Sequence, residues 1–205
     1  MEYLSSIILF AVFSSITPGP NNVMVMTSGL NFGVKESLPL LSGICVGFAT
    51  MLLLVGFGIG QLFILFPELN LTLKMVGATY LFYLAWLIAK NHNMRSENRQ
   101  SQPLGFFKGF IFQWVNAKAW IVAIGAVATF SNSADTSVVE SFYIAMVFFF
   151  ISFPCVGVWL MFGSLLREKF KSTRYLRWFN VSMSALLVFS ILPILRDIFL
   201  HLQIF

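Results

Sequence analysis

The chain has 205 residues, of which 58% are hydrophobic and 10% are charged. This composition excludes an ordinary soluble domain and indicates a single membrane domain over residues 1–205. The net charge of +5, from 13 basic and 8 acidic residues, does not by itself indicate nucleic-acid binding. In a membrane protein, basic residues in short loops mark the cytoplasmic side.

Six apolar runs are each long enough to cross the hydrocarbon core of a membrane as a helix, which requires about 20 residues. The sequence therefore predicts an all-α, polytopic membrane protein with six transmembrane helices. The first run is not expected to be a secretory signal, because such a signal begins with basic residues. Here Glu2 precedes the run, and no Lys or Arg does. The runs cover residues 4–26, 38–66, 69–89, 106–130, 141–166 and 178–200.

The first run contains the stretch Thr17–Asn22, which reads Thr-Pro-Gly-Pro-Asn-Asn. Pro18 and Pro20 have no amide hydrogen, so the carbonyls of Ser14 and Ile16 lose their helical donors, and helix 1 is expected to break here. Freed backbone groups at membrane depth survive only when they are buried in protein or line a watery cavity. Broken helices of this kind form substrate sites in many transporters, whereas the alternative is a kinked helix packed against its neighbours.

Run 2 is rich in glycine, with Gly43 and Gly47, and then Gly56 and Gly60, each four residues apart. Small residues at this spacing let transmembrane helices approach closely, so we expect helix packing on these faces. The run is longer than one span needs, which predicts either a tilted helix or a helix end near Gln61.

Residues 90–105 form the one long polar segment and divide the chain into two halves with three runs each. Because three is an odd number, the second half enters the bilayer inverted relative to the first. The sequence thus favours two three-helix inverted repeats, residues 1–89 and 106–205, joined by a cytoplasmic loop over 90–105.

Basic residues are distributed unevenly between the two sides of the predicted bundle. With the N-terminus outside, nine basic residues fall in the inner loops, and only Lys74 and Arg196 fall on the outer side. The positive-inside rule then predicts both termini outside, with the basic loops against membrane lipid rather than nucleic acid. The nine are Lys35, Lys90, Arg95, Arg99, Arg167, Lys169, Lys171, Arg174 and Arg177.

Run 4 carries Lys118 midway between its ends, together with Gln113 and Asn116. A cation near the bilayer centre costs about 2.5–3.5 kcal/mol or more, so an intramembrane lysine is a functional candidate by default. No Asp or Glu lies at comparable depth in any run, so the sequence offers Lys118 no obvious carboxylate partner. The alternative is a structural lysine that pairs with backbone carbonyls or an amide.

Several short motifs lie along the first four runs. They are Pro18-Gly19-Pro20-Asn21, Gly33, Gly43-Ile44 with Gly47, Gly77-Ala78-Thr79-Tyr80-Leu81 with Trp86, Phe107 with Gly109-Phe110, and Asn116 with Lys118-Ala119. Together they resemble the LysE/RhtB family of bacterial amino-acid exporters over nearly the whole chain, most strongly over residues 16–90. The family's Asn-Pro-Lys signature reads Asn116-Ala117-Lys118 here. Without the proline nothing covalent forces helix 4 to break, which leaves that break open.

The resemblance implies a secondary transporter of the bacterial cytoplasmic (inner) membrane that exports amino acids or close derivatives, and neither an enzyme nor a cofactor protein. A zwitterionic substrate is expected at mid-membrane, with its carboxylate near the amides that open the second half of helix 1 and near Lys118. Its ammonium is expected near the freed carbonyls. The predicted substrate-binding residues are Ser14, Thr17, Pro18, Gly19, Pro20, Asn21, Asn22, Gln113, Asn116 and Lys118, with no catalytic residue and no metal ligand.

Two alternatives from other classes remain open. Cys45 and Cys155 lie in runs 2 and 5, and a distant branch of this superfamily carries electrons through paired intramembrane cysteines. Such a thiol–disulfide relay requires Cα atoms within about 7 Å of each other. The second alternative is a non-transporting membrane assembly protein. A homodimer is compatible with the sequence under any of these readings.

Overall fold

The computed structural model describes residues 2–60, 65–90, 102–131, 138–169 and 173–202. Within these ranges the chain is helical with short connections and has no β-strand, which confirms the all-α prediction. The eight helices of these ranges are α1 (Glu2–Ile16), α2 (Pro20–Phe32), α3 (Val34–Gly56), α4 (Pro67–Lys90), α5 (Phe106–Val115), α6 (Ala117–Phe130), α7 (Val138–Lys169) and α8 (Thr173–Leu202).

Four of these helices, α3, α4, α7 and α8, each contain a stretch long and apolar enough to cross a membrane. The other four form two bent pairs, and each pair has the length and composition of one span. The axes of α1 and α2 meet at 58°, and those of α5 and α6 meet at 70°. The described part of the chain therefore holds four to six candidate membrane spans.

The two bends have different local causes. Between α1 and α2, Gly19 is extended (φ −173°, ψ 179°), and Pro20 is the first residue of α2, where a missing amide hydrogen leaves no helical bond unmade. Between α5 and α6, Asn116 alone is extended (φ −88°, ψ 102°). The sequence left open whether the helix of run 4 (residues 106–130) breaks without a proline, and the backbone does bend there, with Ala117 as the first residue of α6.

The helix α3 begins and ends earlier than the second apolar run. It begins at Val34, directly after Gly33, whose positive φ of 88° ends α2 and redirects the chain. It ends at Gly56 and is followed by a turn in which Gly58 has a φ of 91°. The positive φ of Gly33 thus separates α3 from α2, and the turn at Gly58 separates α3 from the remainder of the second apolar run.

Some expectations concern residues that the structure does not describe. The helix end near Gln61 falls on residues 61–64, and most of the predicted loop over 90–105 falls on residues 91–101. Both lie outside the described residues.

Glycines bring the backbones of neighbouring helices into direct contact. A Cβ added to Gly43 of α3 would lie 2.0 Å from Phe106 O of α5, and a Cβ added to Gly163 of α7 would lie 2.0 Å from Met26 O of α2. Real Cβ atoms do not approach a carbonyl so closely, so α3 packs on α5, and α7 on α2, in a way that only glycine permits. The same kind of backbone contact occurs at Gly29, Gly47 and Gly109.

Two apolar clusters fill the bundle. The first joins α2, α3, α4, α5, α7 and α8, and the second joins α1, α3, α6 and α7. An aromatic cluster begins in the second and extends to the surface, with neighbouring ring centroids 5.7–6.3 Å apart; its members are Tyr3, Phe10, Phe48, Phe130, Tyr143 and Phe148. Large apolar side chains such as Phe107 and Ile121 are exposed on the outside, as lipid contact requires.

Candidate functional site

A cavity of about 40 Å³ lies where the two interrupted helices meet. Its walls come from α1, α2, α3, α6 and α7, together with Gly19 and Asn116. The polar lining residues are Ser14, Ser15, Asn21, Asn22, Asn116, Lys118 and Ser152.

Side chains bond the free carbonyls of the first interruption. Asn22 Nδ2 donates to Ser15 O at 3.0 Å and to Thr17 O at 2.9 Å. Trp159 Nε1 of α7 donates at 3.1 Å to Ile16 O, one of the two carbonyls that proline deprives of a helical donor. The interruption is therefore stabilised by an amide and an indole as well as by its prolines.

Asn116 stabilises the second interruption. Its Oδ1 accepts a hydrogen bond from the backbone N–H of Lys118 at 3.2 Å and so caps the N-terminus of α6. Across the same bend, Trp120 Nε1 donates to Trp114 O at 2.8 Å. The side-chain cap of Asn116 thus begins a new helix at the second interruption, as Pro20 does at the first.

An amide bridge, formed by Asn21, Gln113 and Asn116, joins the two interruptions. Asn21 and Gln113 exchange two hydrogen bonds of 3.0 Å, and Asn116 Nδ2 donates to Asn21 Oδ1 at 3.2 Å. Gln113 and Asn116 are almost completely buried. The bridge fixes α2 against α5 and against the start of α6, because buried amides left unpaired would be costly.

Lys118 lies across the first interruption. Its Nζ donates to Thr17 O at 2.7 Å. A Cβ on Gly19 would lie 2.9 Å from Lys118 Cδ and 3.1 Å from Nζ, so the absence of a side chain at position 19 makes room for the lysine. The contact with a backbone carbonyl matches the structural alternative, but a neutral carbonyl does not cancel the charge. The positive ends of the α2 and α6 dipoles lie at the same place, which makes this region attractive to an anion.

Six of the ten residues predicted from the sequence line the cavity: Ser14, Gly19, Asn21, Asn22, Asn116 and Lys118. The other four lie close by in other roles. Thr17 supplies its carbonyl to Lys118, while its hydroxyl donates to Phe13 O of α1. Gln113 belongs to the amide bridge, and Pro18 and Pro20 shape the backbone.

Sequence reasoning missed the wall contributed by α3 and α7. Ser152 Oγ lies 3.0 Å from Ser15 Oγ, and Ser152 is buried. The one available signal was a serine near the middle of the fifth run, two residues before Pro154. The apolar wall gave no signal at all, because its residues do not differ from ordinary core residues; they are Ile44, Cys45, Phe48, Ala119, Val122 and Val156.

Two interrupted apolar helices that meet at one polar cavity are the arrangement found in many secondary transporters. The comparisons with known proteins agree. The chain belongs to the LysE type translocator family, whose model matches residues 12–193, and this confirms the resemblance read from the motifs. It is a multi-pass inner-membrane transporter and not an enzyme.

Curated relatives extend over almost the full chain. The cysteine/O-acetylserine efflux protein of Salmonella choleraesuis (strain SC-B67) is 30% identical over 190 residues, which are 91% of this chain and 94% of the relative. The protein of the same description from Escherichia coli (strain K12) is 29% identical over the same shares. No solved structure matches the chain.

The two cysteines are buried free thiols, Cys45 in the cavity wall and Cys155 on α7. The translocator family gives no support to an electron relay through them, and the packing of Cys45 against the apolar core suits a small polarizable side chain.

Proposed function

We propose that this chain exports small, uncharged α-amino acids or their close derivatives across the inner membrane. The observation that carries the proposal is the position of Lys118, whose ammonium lies at the cavity where both interruptions meet. No carboxylate lines the cavity among the residues that the structure describes. The relatives named above are efflux proteins for cysteine and O-acetylserine, which are amino acids of this kind.

The substrate carboxylate binds between Lys118 and the N-terminus of α2. Gly19 has no side chain with which to cap this helix, and Asn21 and Asn22, at the start of α2, line the cavity. The uncapped amides and the positive end of the helix dipole both favour an anion there. On binding, Lys118 Nζ exchanges the carbonyl of Thr17 for the carboxylate.

The substrate side chain faces the wall formed by α1, α3, α6 and α7. This wall is apolar at Ile44, Phe48 and Val122 and carries hydroxyls at Ser15 and Ser152. A cationic side chain would meet Lys118 with no acceptor carboxylate, and an acidic one would be buried against apolar groups. Small neutral side chains, with or without a hydroxyl, thiol or ester, fit this chemistry.

Six spans in two inverted repeats are the architecture that we propose for the membrane. The support is that each half of the chain begins with a bent helix pair, α1–α2 in the first and α5–α6 in the second, followed by apolar helices. At the end of α4, Lys90 Nζ lies 4.6 Å from the ring centre of Trp86, a cation–π pair typical of the membrane–water boundary. Rotation of helices about the two interruptions would open the cavity to each side in turn, driven by the membrane potential or an ion gradient.

An export screen tests the proposed function directly. Cells that express the chain are compared with cells carrying an empty vector, and amino acids accumulating in the medium are measured after feeding with dipeptides. We expect raised export of cysteine, O-acetylserine or another small neutral amino acid, and no change for lysine or glutamate. Export of charged amino acids alone, or of none, would contradict the proposal.

The proposed orientation gives a second expected result. In a variant with Cys45→Ala and Cys155→Ala, single cysteines are introduced as Ser101→Cys, Ser133→Cys or Ser172→Cys and treated with a membrane-impermeant maleimide. We expect Ser133→Cys to react in intact spheroplasts and the other two only after permeabilisation, because nine basic residues mark the inner loops. Reaction of Ser172→Cys in intact spheroplasts would reverse the orientation.

A further inference from the structure

Asn22 has one hydrogen-bonding atom that the fold does not use. Its Nδ2 donates to two backbone carbonyls, Ser15 O and Thr17 O. Carbonyls only accept, so the nitrogen of the amide must face them, and this determines which side of the group carries the oxygen. Asn22 Oδ1 is then buried without a hydrogen-bond partner in the described part of the chain.

An orphaned buried acceptor is uncommon in native proteins and calls for an explanation. Asn22 is 2% exposed and lines the cavity, so a ligand that occupies the cavity is the nearest source of a donor. The oxygen of the neighbouring Asn21 differs in this respect, because it already accepts from Gln113 and Asn116. The unpaired acceptor is therefore the side-chain oxygen of Asn22 and not that of Asn21.

Neighbouring backbone carbonyls are already occupied, including that of Ile16, one of the two freed carbonyls expected near the ammonium. Ile16 O accepts from Trp159, and Thr17 O accepts from both Asn22 and Lys118. Side-chain oxygens show the same pattern, since Asn116 Oδ1 accepts from the backbone of Lys118. Asn22 Oδ1 is the amide oxygen at the cavity that is left over.

The position of Asn22 relative to Lys118 matches an α-amino acid. Lys118 Nζ and Asn22 Nδ2 donate to the same atom, Thr17 O, at 2.7 and 2.9 Å, so the lysine ammonium and the asparagine amide are close neighbours. In an α-amino acid the carboxylate and the ammonium are attached to the same carbon. One such ligand can therefore contact both groups at once.

We infer that Asn22 Oδ1 accepts a hydrogen bond from the α-ammonium of the substrate and that the site thereby selects free α-amino acids over carboxylic acids that lack the amino group. The inference rests on the proposed function and adds the group that recognises the ammonium. Lys118 alone would bind any small carboxylate. The pairing of one cation with one neutral acceptor makes the site specific for a zwitterion.

The test uses two ligands that differ only in this group, L-cysteine and 3-mercaptopropanoate, under reducing conditions. Binding to the purified full chain is measured by calorimetry for wild type, Asn22→Leu and Asn22→Ala. We expect wild type to prefer L-cysteine by about tenfold or more, as the loss of a hydrogen bond to a charged group implies. Both variants should bind the two ligands equally.

Asn21→Leu is the matched control, because it removes a neighbouring amide whose oxygen is already used. It should weaken binding of both ligands and leave their ratio as in wild type. Equal binding of the two ligands by wild type overturns the assignment alone and needs no folded variant. An unchanged ratio in Asn22→Leu or Asn22→Ala overturns it as well. A wild type that binds neither ligand would instead count against the proposed function.

Discussion

Lys118→Met should reduce export at least about tenfold while the protein inserts into the membrane as well as wild type. Methionine has a similar length but no charge, so the substrate carboxylate loses a charged hydrogen bond worth about 1.5–3 kcal/mol. Insertion should not suffer, because the substitution removes the cost of placing a cation at membrane depth. Export from loaded vesicles and the abundance of the protein in membranes provide the two measurements.

Lys74→Met is the matched control for this variant, because it removes the same charge from α4, away from the cavity. It should export normally. Lys118→Arg should keep little activity, since the larger planar guanidinium has to fit where Lys118 already packs against Gly19. Substrate should also cease to raise the melting temperature of purified Lys118→Met. Wild-type export by Lys118→Met would show that the lysine is structural.

Asn116→Ala should also abolish export, because it removes the group that stabilises the second bend. The cap on α6 contributes about 0.5–2 kcal/mol, and alanine would let α5 and α6 join into one continuous helix. The bond from Asn116 Nδ2 to Asn21 Oδ1 is lost at the same time. Transport assays of membranes with matched protein content measure the effect.

A proline at position 117 should restore much of this activity. Ala117 is the first residue of α6, a position that favours proline, and Asn116 already has the extended backbone that a following proline requires. The double variant Asn116→Ala/Ala117→Pro should therefore bend again, and Ala117→Pro alone should export normally. If the single proline variant is active and the double variant is not, the amide contacts of Asn116 matter rather than the bend.

The sequence was informative wherever a residue type is expensive in a membrane. Two prolines within a single apolar run and a lysine in the middle of another were sufficient to find the interruption at residues 17–19 and Lys118. Glycines four residues apart likewise anticipated the close packing of Gly43 and Gly47 against α5. A proline or a lysine is unfavourable in a membrane helix, and a glycine has no side chain, whatever each residue contacts. Such residues can therefore be recognised from the sequence without knowing their partners.

Features that depend on partners could not be found in this way. Asn116 was among the predicted site residues, but its role as the cap of α6 was not, and Trp159 could not be told from an ordinary aromatic residue until its contact with Ile16 O was known. The turn at Gly58 that follows α3 could not be located by hydropathy, because apolar residues continue beyond it. The unpaired oxygen of Asn22 is likewise a property of the packed structure.

The glycine contacts determine where this molecule can deform. At Gly43 and Gly163 a helix backbone touches a neighbouring carbonyl, so α3 with α5, and α7 with α2, cannot slide without collision. Each pair is therefore expected to move as one unit. The hinges are then residues 17–19 and Asn116, the two places where helical bonding is already interrupted. Both hinges border the cavity, so a ligand that rearranges a few hydrogen bonds there can change the angle between the helices on either side of each hinge.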